Sequence, residues 1–405
     1  MLVLARLVLF IFLNCIIFSG LYSQASGEVL FYVKAKSAAL FDFNTEQFLL
    51  EQNAEEKIEP ASFTKLMTLY LVQDALKDRI INLDDQVPVS RKAWETGGSR
   101  MFIEVGKKVL LEDLLKGIAV ASGNDACVAV AEYIAGKEEV FVGEMNRKVR
   151  DLGLKNTVFK NSHGLPAEGQ YTTAHDMALL AYHYIKDYPQ VINLHSITEF
   201  TYNNITQSNR NRLLRMDVGV DGLKTGHVKS AGYHLIATAK KEGRRLIAVV
   251  MGAKSWEDRE NEALRLLNYG FRNFVIKKVL KKGEVIKSVP VKEGKYDTVD
   301  LIAQEGVALS VPRRDKDSLK LIEVISSQII APVSKGEVLG KVVVKIGDKT
   351  IREVNLLAKD SVPKGWQAYW KLGLTVLAIL LLAFIIRWII RKRRSSRRYT
   401  FQENE

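Results

Sequence analysis

The sequence predicts an α/β or α+β domain followed by a small all-β domain and a single transmembrane helix. In the first two thirds of the chain, strand-like runs such as Val29–Ala35 and Leu246–Met251 alternate with helical ones such as Leu66–Leu76. From about residue 275 the pattern changes to short β-rich runs broken by Gly and turn residues. An apolar run near the C-terminus, residues 372–390, has the length that a bilayer-spanning helix requires.

Length and composition are those of a folded protein with more than one domain. The 405 residues exceed what one hydrophobic core usually holds, and 47% hydrophobic with 26% charged residues exclude a largely disordered chain. The net charge is +13, but six of the basic residues lie in the run Arg391–Arg398 beside the apolar segment. No folded segment interleaves basic residues with aromatic ones, so no nucleic acid partner is expected.

The N-terminus predicts a signal peptide. Arg6 precedes an almost entirely apolar run, Leu7–Phe18, and Ser23-Gln24-Ala25 has the small-x-small pattern of a cleavage site. An uncleaved signal anchor is the alternative, which the short apolar run disfavours. Cleavage removes Cys15 and leaves Cys127 as the only cysteine, so no intramolecular disulfide is expected.

The C-terminus predicts a membrane span with aromatic residues at both edges. From Leu372 to Ile390 the chain is nearly all apolar, and as a helix it extends roughly 28 Å against a hydrocarbon core of about 30 Å. An interfacial amphipathic helix would need a polar face, which this run lacks. The basic residues that follow should stay in the cytoplasm by the positive-inside rule. The preceding domains are therefore expected at the extracytoplasmic (periplasmic) face of the cytoplasmic membrane.

These patterns divide the chain into six segments. They are a signal peptide (1–25), an α/β domain (26–274), a β-rich domain (275–360), a linker (361–371), a transmembrane helix (372–390) and a basic cytoplasmic tail (391–405). Within the β-rich domain, Gly347-Asp348 between two β-rich runs predicts a hairpin. No catalytic constellation occurs in that domain.

The first motif that carries chemistry is Ser62-Phe63-Thr64-Lys65, which is followed by apolar residues at helical spacing. Ser62 is expected at a helix N-terminus, where unpaired amides favour a developing alkoxide, and the i, i+3 spacing puts the Lys65 amine beside its hydroxyl. Lys65 can act as a base if desolvation and a neighbouring cation keep part of it neutral, and Lys224 is the candidate cation. The alternative is a simple N-cap serine, since Ser361-Val362-Pro363-Lys364 in the linker matches the same SxxK pattern.

Two further motifs contribute polar groups, namely Ser122-Gly123-Asn124 and Lys224-Thr225-Gly226. Ser122 is suited to relay a proton between Lys65 and a leaving amine, and Asn124 is suited to hold a substrate amide or the lysine. Gly226 lets a backbone edge approach a ligand closely, while Lys224 and Thr225 suit a carboxylate. Taken alone, the first tripeptide is more typical of a polar turn and the second of an ordinary strand entry.

The order SxxK, SxN, KTG along one chain is more specific than any single motif, and β-lactamases and penicillin-binding proteins share it. Here the middle element is SGN, Gly164-Leu165 lies upstream of the third motif, and Asp221-Gly222-Leu223 directly precedes it. With these features the sequence resembles the low-molecular-mass penicillin-binding proteins that act as D-alanyl-D-alanine carboxypeptidases. The resemblance covers about residues 26–360. It implies a DD-peptidase/β-lactamase-like domain with an antiparallel sheet flanked by helices, followed by a β-rich domain that holds the active site away from the membrane.

The resemblance also implies a mechanism. Ser62 attacks the carbonyl between the last two D-alanines of a peptidoglycan stem peptide, D-alanine leaves, and water hydrolyses the acyl-enzyme. Ser62 and His227 are expected to give backbone amides to the oxyanion. Thr225 and Arg259 are the residues chosen for the terminal carboxylate, with Arg210 as the weaker choice. β-Lactams are the expected inhibitors.

Three rival functions stay open. A β-lactamase shares the acylation chemistry, although no Glu-x-x-x-Asn element follows Ser122 where a class A enzyme has its deacylating glutamate. A D,D-endopeptidase and a non-catalytic cell-wall scaffold are the others. No metal or other cofactor is implied, because the six histidines form neither an HExxH motif nor a close ligand cluster. His163 and Asp176 match segments of the family and are interpreted as structural hydrogen-bonding residues.

Overall fold

The computed structural model describes residues 31–399 of the chain. The predicted signal peptide, residues 1–25, lies outside the described residues, and so do residues 400–405 of the predicted tail. The strand predicted over Val29–Ala35 does not form in its described part, because residues 31–36 are irregular and the first strand begins at Ser37.

Helices and strands alternate up to residue 273, and the segment up to residue 358 consists mainly of strands. The α-helices of the described residues are α1 Thr64–Lys77, α2 Arg91–Glu95, α3 Leu111–Lys116, α4 Asn124–Ala135, α5 Glu138–Asp151, α6 Ala174–Asp187, α7 Val191–His195, α8 Trp256–Asn273 and α9 Trp370–Tyr399. The strands are β1 Ser37–Asp42, β2 Gln47–Gln52, β3 Gln86–Pro88, β4 Lys108–Leu110, β5 Glu199–Tyr202, β6 Ile205–Ser208, β7 Val220–Val228, β8 Gly232–Lys241, β9 Arg244–Ala253, β10 Phe274–Leu280, β11 Val285–Pro290, β12 Thr298–Ala303, β13 Val307–Pro312, β14 Leu319–Ile325, β15 Val338–Ile346 and β16 Lys349–Ala358.

A five-stranded antiparallel sheet in the order β2-β1-β9-β8-β7 lies at the centre of residues 31–273. Its strands face two cores, because successive side chains of a strand point to opposite faces. On β9, Ile247 and Val249 pack with α1, α4 and α6, whereas Ala248 and Val250 pack with α8. The predicted antiparallel sheet flanked by helices is confirmed.

The β-rich part has a core of its own. Strands β11-β12-β16-β15-β14 form a second antiparallel sheet, and β10 pairs separately with β13. Most buried apolar residues of this part, from Leu280 to Val362, form one cluster. The predicted hairpin is present, since β15 and β16 pair up to Ile346 and Lys349 with Gly347-Asp348 at the turn.

Arg244 connects the central sheet to the β-rich part. Its guanidinium donates to the buried Asp42 carboxylate at 2.7 Å, to the Phe274 carbonyl at 2.9 Å and to the Ser310 hydroxyl at 2.8 Å. The Ser310 hydroxyl in turn donates to Asp42 at 2.6 Å. Charge-assisted hydrogen bonds of this kind are the stronger ones, so the junction holds the two parts in a fixed relation.

The C-terminal helix α9 contains the predicted span. Leu372–Lys392 is long and apolar enough to cross a membrane by length and composition, with a mean hydropathy of 2.5, and none of it is buried against the rest of the chain. The linker stays attached to the β-rich part as far as Gly365, whose N–H donates to the Glu293 carbonyl at 2.8 Å. Only a short 3-10 turn, Trp366–Tyr369, separates that attachment from α9.

Candidate active site

Ser62 lies on a 3-10 turn, Ala61–Phe63, that leads directly into α1. Ser62 is partly exposed, whereas Lys65 in the first turn of α1 is fully buried. The Lys65 Nζ lies 3.0 Å from the Ser62 Oγ. The predicted i, i+3 contact between hydroxyl and amine is therefore present at the start of this helix.

The Lys65 amine has two further acceptors. It donates to the Asn124 Oδ1 at 2.6 Å and to the His163 carbonyl at 2.5 Å. Burial, together with the smaller effect of the positive charge of Arg210, lowers the pKa of Lys65 to about 8. A substantial neutral fraction of Lys65 therefore exists near neutral pH, and a neutral amine can accept a proton from Ser62.

Lys224, the candidate cation beside Lys65, is a buried amine whose own pKa is lowered. Apart from burial, Arg210 is the cation that lowers the pKa of Lys65. Lys224 is itself fully buried, and burial followed by the charge of Lys65 lowers the pKa of Lys224 well below its ordinary value.

The second motif lies where a helix ends abruptly. The run Leu111–Val120, which has helical spacing, forms α3 and then a turn of π-helix, Gly117–Ala121. Ser122 follows in the left-handed conformation, with φ 59° and ψ 38°, and α4 begins at Asn124. The Ser122 hydroxyl is buried and lies 3.0 Å from the Lys224 Nζ. Single π-turns and left-handed non-Gly residues concentrate at functional sites.

Asn124 and its neighbour Asp125 hold the segment Gly97–Ile103 against the site, and this segment is called the wall below. The Asn124 side-chain amide donates to the Gly97 carbonyl at 2.7 Å. The Asp125 carboxylate accepts from three successive backbone N–H groups, those of Met101, Phe102 and Ile103, at 3.0, 3.0 and 3.3 Å. Sequence reasoning did not single out Asp125, because this role depends on a loop that precedes it by more than twenty residues.

The third motif lies on β7, the edge strand of the central sheet. Gly226 packs against the Ser62 turn so closely that a Cβ at this position would be 3.2 Å from the Ala61 Cβ. Thr225 is buried, whereas His227 is exposed and stacks on Tyr233 with ring centroids 4.1 Å apart. An edge strand leaves alternate backbone N–H and C=O groups unpaired, and those of β7 border the turn that carries Ser62.

Arg259, in the first turn of α8, reaches this strand. Its guanidinium donates to the Arg210 carbonyl at 3.1 Å and lies 3.5 Å from the Gly226 carbonyl. The Arg259 Nε is buried and has no hydrogen-bond partner among the described residues. Burial lowers the pKa of Arg259, and the Arg210 charge lowers the pKa values of Lys65, Lys224 and Arg259 alike. Both arginines therefore face one cleft, and an unpaired buried donor there favours an anionic ligand.

The His163 carbonyl is a site group that sequence reasoning missed. His163 and Gly164 both donate backbone N–H groups to the Asn161 Oδ1, at 3.3 and 2.6 Å, which closes a turn that packs against Ala61. Gly164 has φ 89°. The sequence Asn-Ser-His-Gly is typical of a turn. Nothing in the sequence indicates that the His163 carbonyl accepts a hydrogen bond from Lys65. Burial lowers the pKa of the His163 ring to about 4, so the ring is neutral at neutral pH.

The remaining candidates lie away from these contacts. Asp176 accepts hydrogen bonds from the Asn156 N–H and the Thr157 hydroxyl, each at 2.7 Å, as a structural residue would. The second SxxK match is extended chain, in which Ser361 accepts a hydrogen bond from the Lys335 N–H at 3.0 Å. Within residues 31–399, no three His, Cys, Asp or Glu side chains are grouped so that they could hold a metal ion.

Two known sequence families match the chain. The family described as D-alanyl-D-alanine carboxypeptidase matches residues 23–255, and the C-terminal domain of penicillin-binding protein 5 matches residues 274–364. D-alanyl-D-alanine carboxypeptidase DacA of Escherichia coli strain K12 is 41% identical over 341 residues, which are 82% of this chain and 85% of that protein.

Solved structures give the same picture. Penicillin binding protein 5 from Haemophilus influenzae superposes with a TM-score of 0.77 at 38% identity, over 84% of this chain and 100% of that one. Penicillin-binding protein D2 from Listeria monocytogenes, in its ampicillin-bound form, superposes with a TM-score of 0.55 at 30% identity, over 60% of this chain and 99% of that one.

Proposed function

The chain belongs to the D-alanyl-D-alanine carboxypeptidase family, and we propose that it removes the terminal D-alanine from peptidoglycan stem peptides through an acyl-enzyme on Ser62. It is a serine-type hydrolase with the fold of a penicillin-binding protein. One observation carries the assignment of roles: two hydroxyl–amine pairs share one cleft, Ser62 with Lys65 and Ser122 with Lys224, each at 3.0 Å.

Acylation begins with proton transfer. Neutral Lys65 takes the proton of Ser62, and the Oγ attacks the carbonyl carbon of the penultimate D-alanine. The oxyanion accepts hydrogen bonds from the backbone amides of Ser62 and His227, on the turn and the edge strand that face each other. When the C–N bond breaks, the leaving amine takes the proton from Lys65 through Ser122 and departs as D-alanine.

Substrate recognition uses the opposite end of the cleft. The terminal carboxylate binds to Thr225 and Arg259, and the buried, unpaired Nε of Arg259 supports this role. Gly226 leaves room for the peptide along β7. Asn124 keeps Lys65 in position through the 2.6 Å hydrogen bond. Water then replaces the amine and hydrolyses the ester, with Lys65 again as base.

Membrane attachment places this chemistry next to its substrate. Leu372–Lys392 supports a single span, and the basic residues after it support a cytoplasmic tail. The catalytic cleft then faces the peptidoglycan on the extracytoplasmic (periplasmic) side. β-Lactams acylate Ser62 in place of the peptide, in line with the ampicillin-bound form of the structural relative.

The direct test is release of D-alanine from a pentapeptide that ends in D-Ala-D-Ala. Full-length protein in detergent is expected to release one D-alanine per peptide and to leave a product shorter by one residue. A cross-linked peptide dimer, supplied in parallel, is expected to be cleaved more slowly. Failure to release D-alanine would overturn the carboxypeptidase assignment, and faster cleavage of the dimer would favour an endopeptidase.

The rate of acylation is expected to rise with pH. Only the neutral form of Lys65 accepts a proton, and its pKa is about 8. The second-order rate constant for benzylpenicillin should therefore increase about tenfold per pH unit below pH 8 and become constant above it. Stopped-flow or quenched-flow labelling between pH 5.5 and about 10 measures this profile.

Arg210→Gln serves as the charge variant for the pH profile. This substitution removes a positive charge that lowers the pKa of Lys65. The midpoint of the profile of acylation rate against pH should therefore move to higher pH, whatever happens to the maximal acylation rate. A pH-independent rate, or a midpoint that moves to lower pH in Arg210→Gln, would contradict the role of Lys65 as base.

A further inference from the structure

A second cleft borders the wall, Gly97–Ile103. Its volume is about 310 Å³. It is lined by Trp94, Arg100, Phe102, Ile103, Glu104, Asn203 and Ile205. The wall itself is shared with the active site, because Asn124 and Asp125 form hydrogen bonds with its backbone.

Three large apolar side chains in this cleft are exposed to solvent. The exposed fractions are 41% for Trp94, 46% for Phe102 and 40% for Ile205. They come from three separate segments, the helix α2, the wall and strand β6, so their proximity is a product of the tertiary fold. Grouped exposed apolar side chains with polar neighbours are typical of a ligand-binding surface.

The backbone of Phe102 is strained in a way that presents its ring. Its φ of 69° is in the left-handed region, which bulky residues rarely adopt. The Asp125 carboxylate maintains this conformation by accepting the N–H groups of Phe102 and Ile103, at 3.0 and 3.3 Å. Such conformations persist where the surroundings fix them, and they concentrate at binding sites.

Polar groups surround the aromatic rings. Asn203, at the tip of the β5–β6 hairpin, donates to the Phe102 carbonyl and to the Glu104 carboxylate, both at 3.2 Å. Gln207 of the same hairpin donates to the Arg100 carbonyl at 2.9 Å, which fixes the hairpin on the wall. Aromatic faces beside amide, carboxylate and guanidinium groups match a sugar, whose C–H face packs on a ring and whose hydroxyl and acetamido groups pair with polar side chains.

The cleft lies within about the length of an extended stem peptide from the active site. Phe102 is five positions after Gly97, which contacts Asn124, so their Cα atoms are at most about 19 Å apart. A stem peptide of four or five residues spans about 13 to 18 Å when extended. We propose that this cleft binds the glycan to which the scissile stem peptide is attached. This inference rests on the carboxypeptidase function proposed above.

The experiment compares two substrates that differ only in the sugar. One is a pentapeptide ending in D-Ala-D-Ala, and the other is the same pentapeptide on a peptidoglycan disaccharide. Trp94→Ala and Ile205→Ala, in the full-length protein, are expected to lower kcat/KM for the disaccharide substrate roughly tenfold, mainly through KM. For the free pentapeptide, kcat/KM should stay within about twofold of the wild-type value.

Tyr296→Ala is the matched control, because this aromatic is 53% exposed but lies in the β-rich part. It should leave both substrates unaffected. Equal losses on both substrates in the cleft variants would mean that the wall is needed only for the shape of the active site, and would overturn the proposal. Unchanged values for the disaccharide substrate would overturn it as well.

Binding of the two peptides to the Ser62→Ala variant tests the glycan site independently of the proposed carboxypeptidase reaction. Without turnover, the disaccharide pentapeptide should bind more tightly than the free pentapeptide, and Trp94→Ala should remove the difference. Equal affinities of the two ligands would overturn the glycan site even if D-alanine release is intact. A sugar-dependent difference would support the site even if release of D-alanine fails.

Discussion

Replacement of Ser62 by Ala is expected to abolish both release of D-alanine and covalent labelling by benzylpenicillin. The variant lacks the only atom that can form the ester, so intact-mass measurement should show the parent mass alone, whereas the wild type gains one penicillin. The fold should survive, because Ser62 is partly exposed and Lys65 keeps the Asn124 and His163 acceptors at 2.6 and 2.5 Å.

The second SxxK sequence supplies a matched control for this prediction. Ser361→Ala alters a serine with the same local pattern in extended chain, and it should be labelled as fully as the wild type. Lys65→Met keeps the side-chain volume and removes the base, so the acylation rate should fall about 10²- to 10⁴-fold. A penicillin adduct on Ser62→Ala, or loss of the adduct in Ser361→Ala, would refute Ser62 as the nucleophile.

The sequence predicted the contact between site residues that are neighbours on one helix. It could not predict the contacts between site residues that are distant in the chain. The contact between Ser62 and Lys65 follows from helical spacing. The contacts of Lys65 with Asn124 and of Lys224 with Ser122 join residues 59 and 102 positions apart. The first was named as one of two roles that suit Asn124, and the second was not predicted. The effect of the Arg210 charge on Lys65 was not predicted for the same reason, since the position of Arg210 depends on the fold.

At two places tertiary packing determines a local structure that the sequence pattern does not show. The helical run Leu111–Val120 gives no sign that it widens into a π-turn at Gly117, although this turn is what exposes Ser122 to Lys224. The first strand was expected before Ser37, at Val29–Ala35. The real strand, Ser37–Asp42, is buried on both faces, so its sequence lacks the alternation by which a half-buried strand is recognised.

Gly164→Ala is expected to disable the site although Gly164 carries no functional group. A Cβ there would lie 1.8 Å from the Ala61 carbonyl oxygen, and φ is 89°. The turn that supplies the His163 carbonyl to Lys65 and the turn that carries Ser62 would therefore have to separate. Displacement of reacting groups by about 1 Å can cost roughly 100-fold in rate, and we expect a loss of acylation of at least about that size. We also expect a destabilisation of about 3 kcal/mol.

Gly153→Ala separates this clash from the cost of the backbone conformation. Gly153 has a similar φ of 68° but no atom within 4 Å of an added Cβ. Its substitution should cost only about 1 to 2 kcal/mol, the penalty of a left-handed alanine, and leave the acylation rate unchanged. Thermal unfolding and penicillin labelling of both variants measure the two effects. If Gly164→Ala behaves like Gly153→Ala in both assays, the close packing of the His163 turn on Ala61 does not maintain the geometry of Ser62 and Lys65.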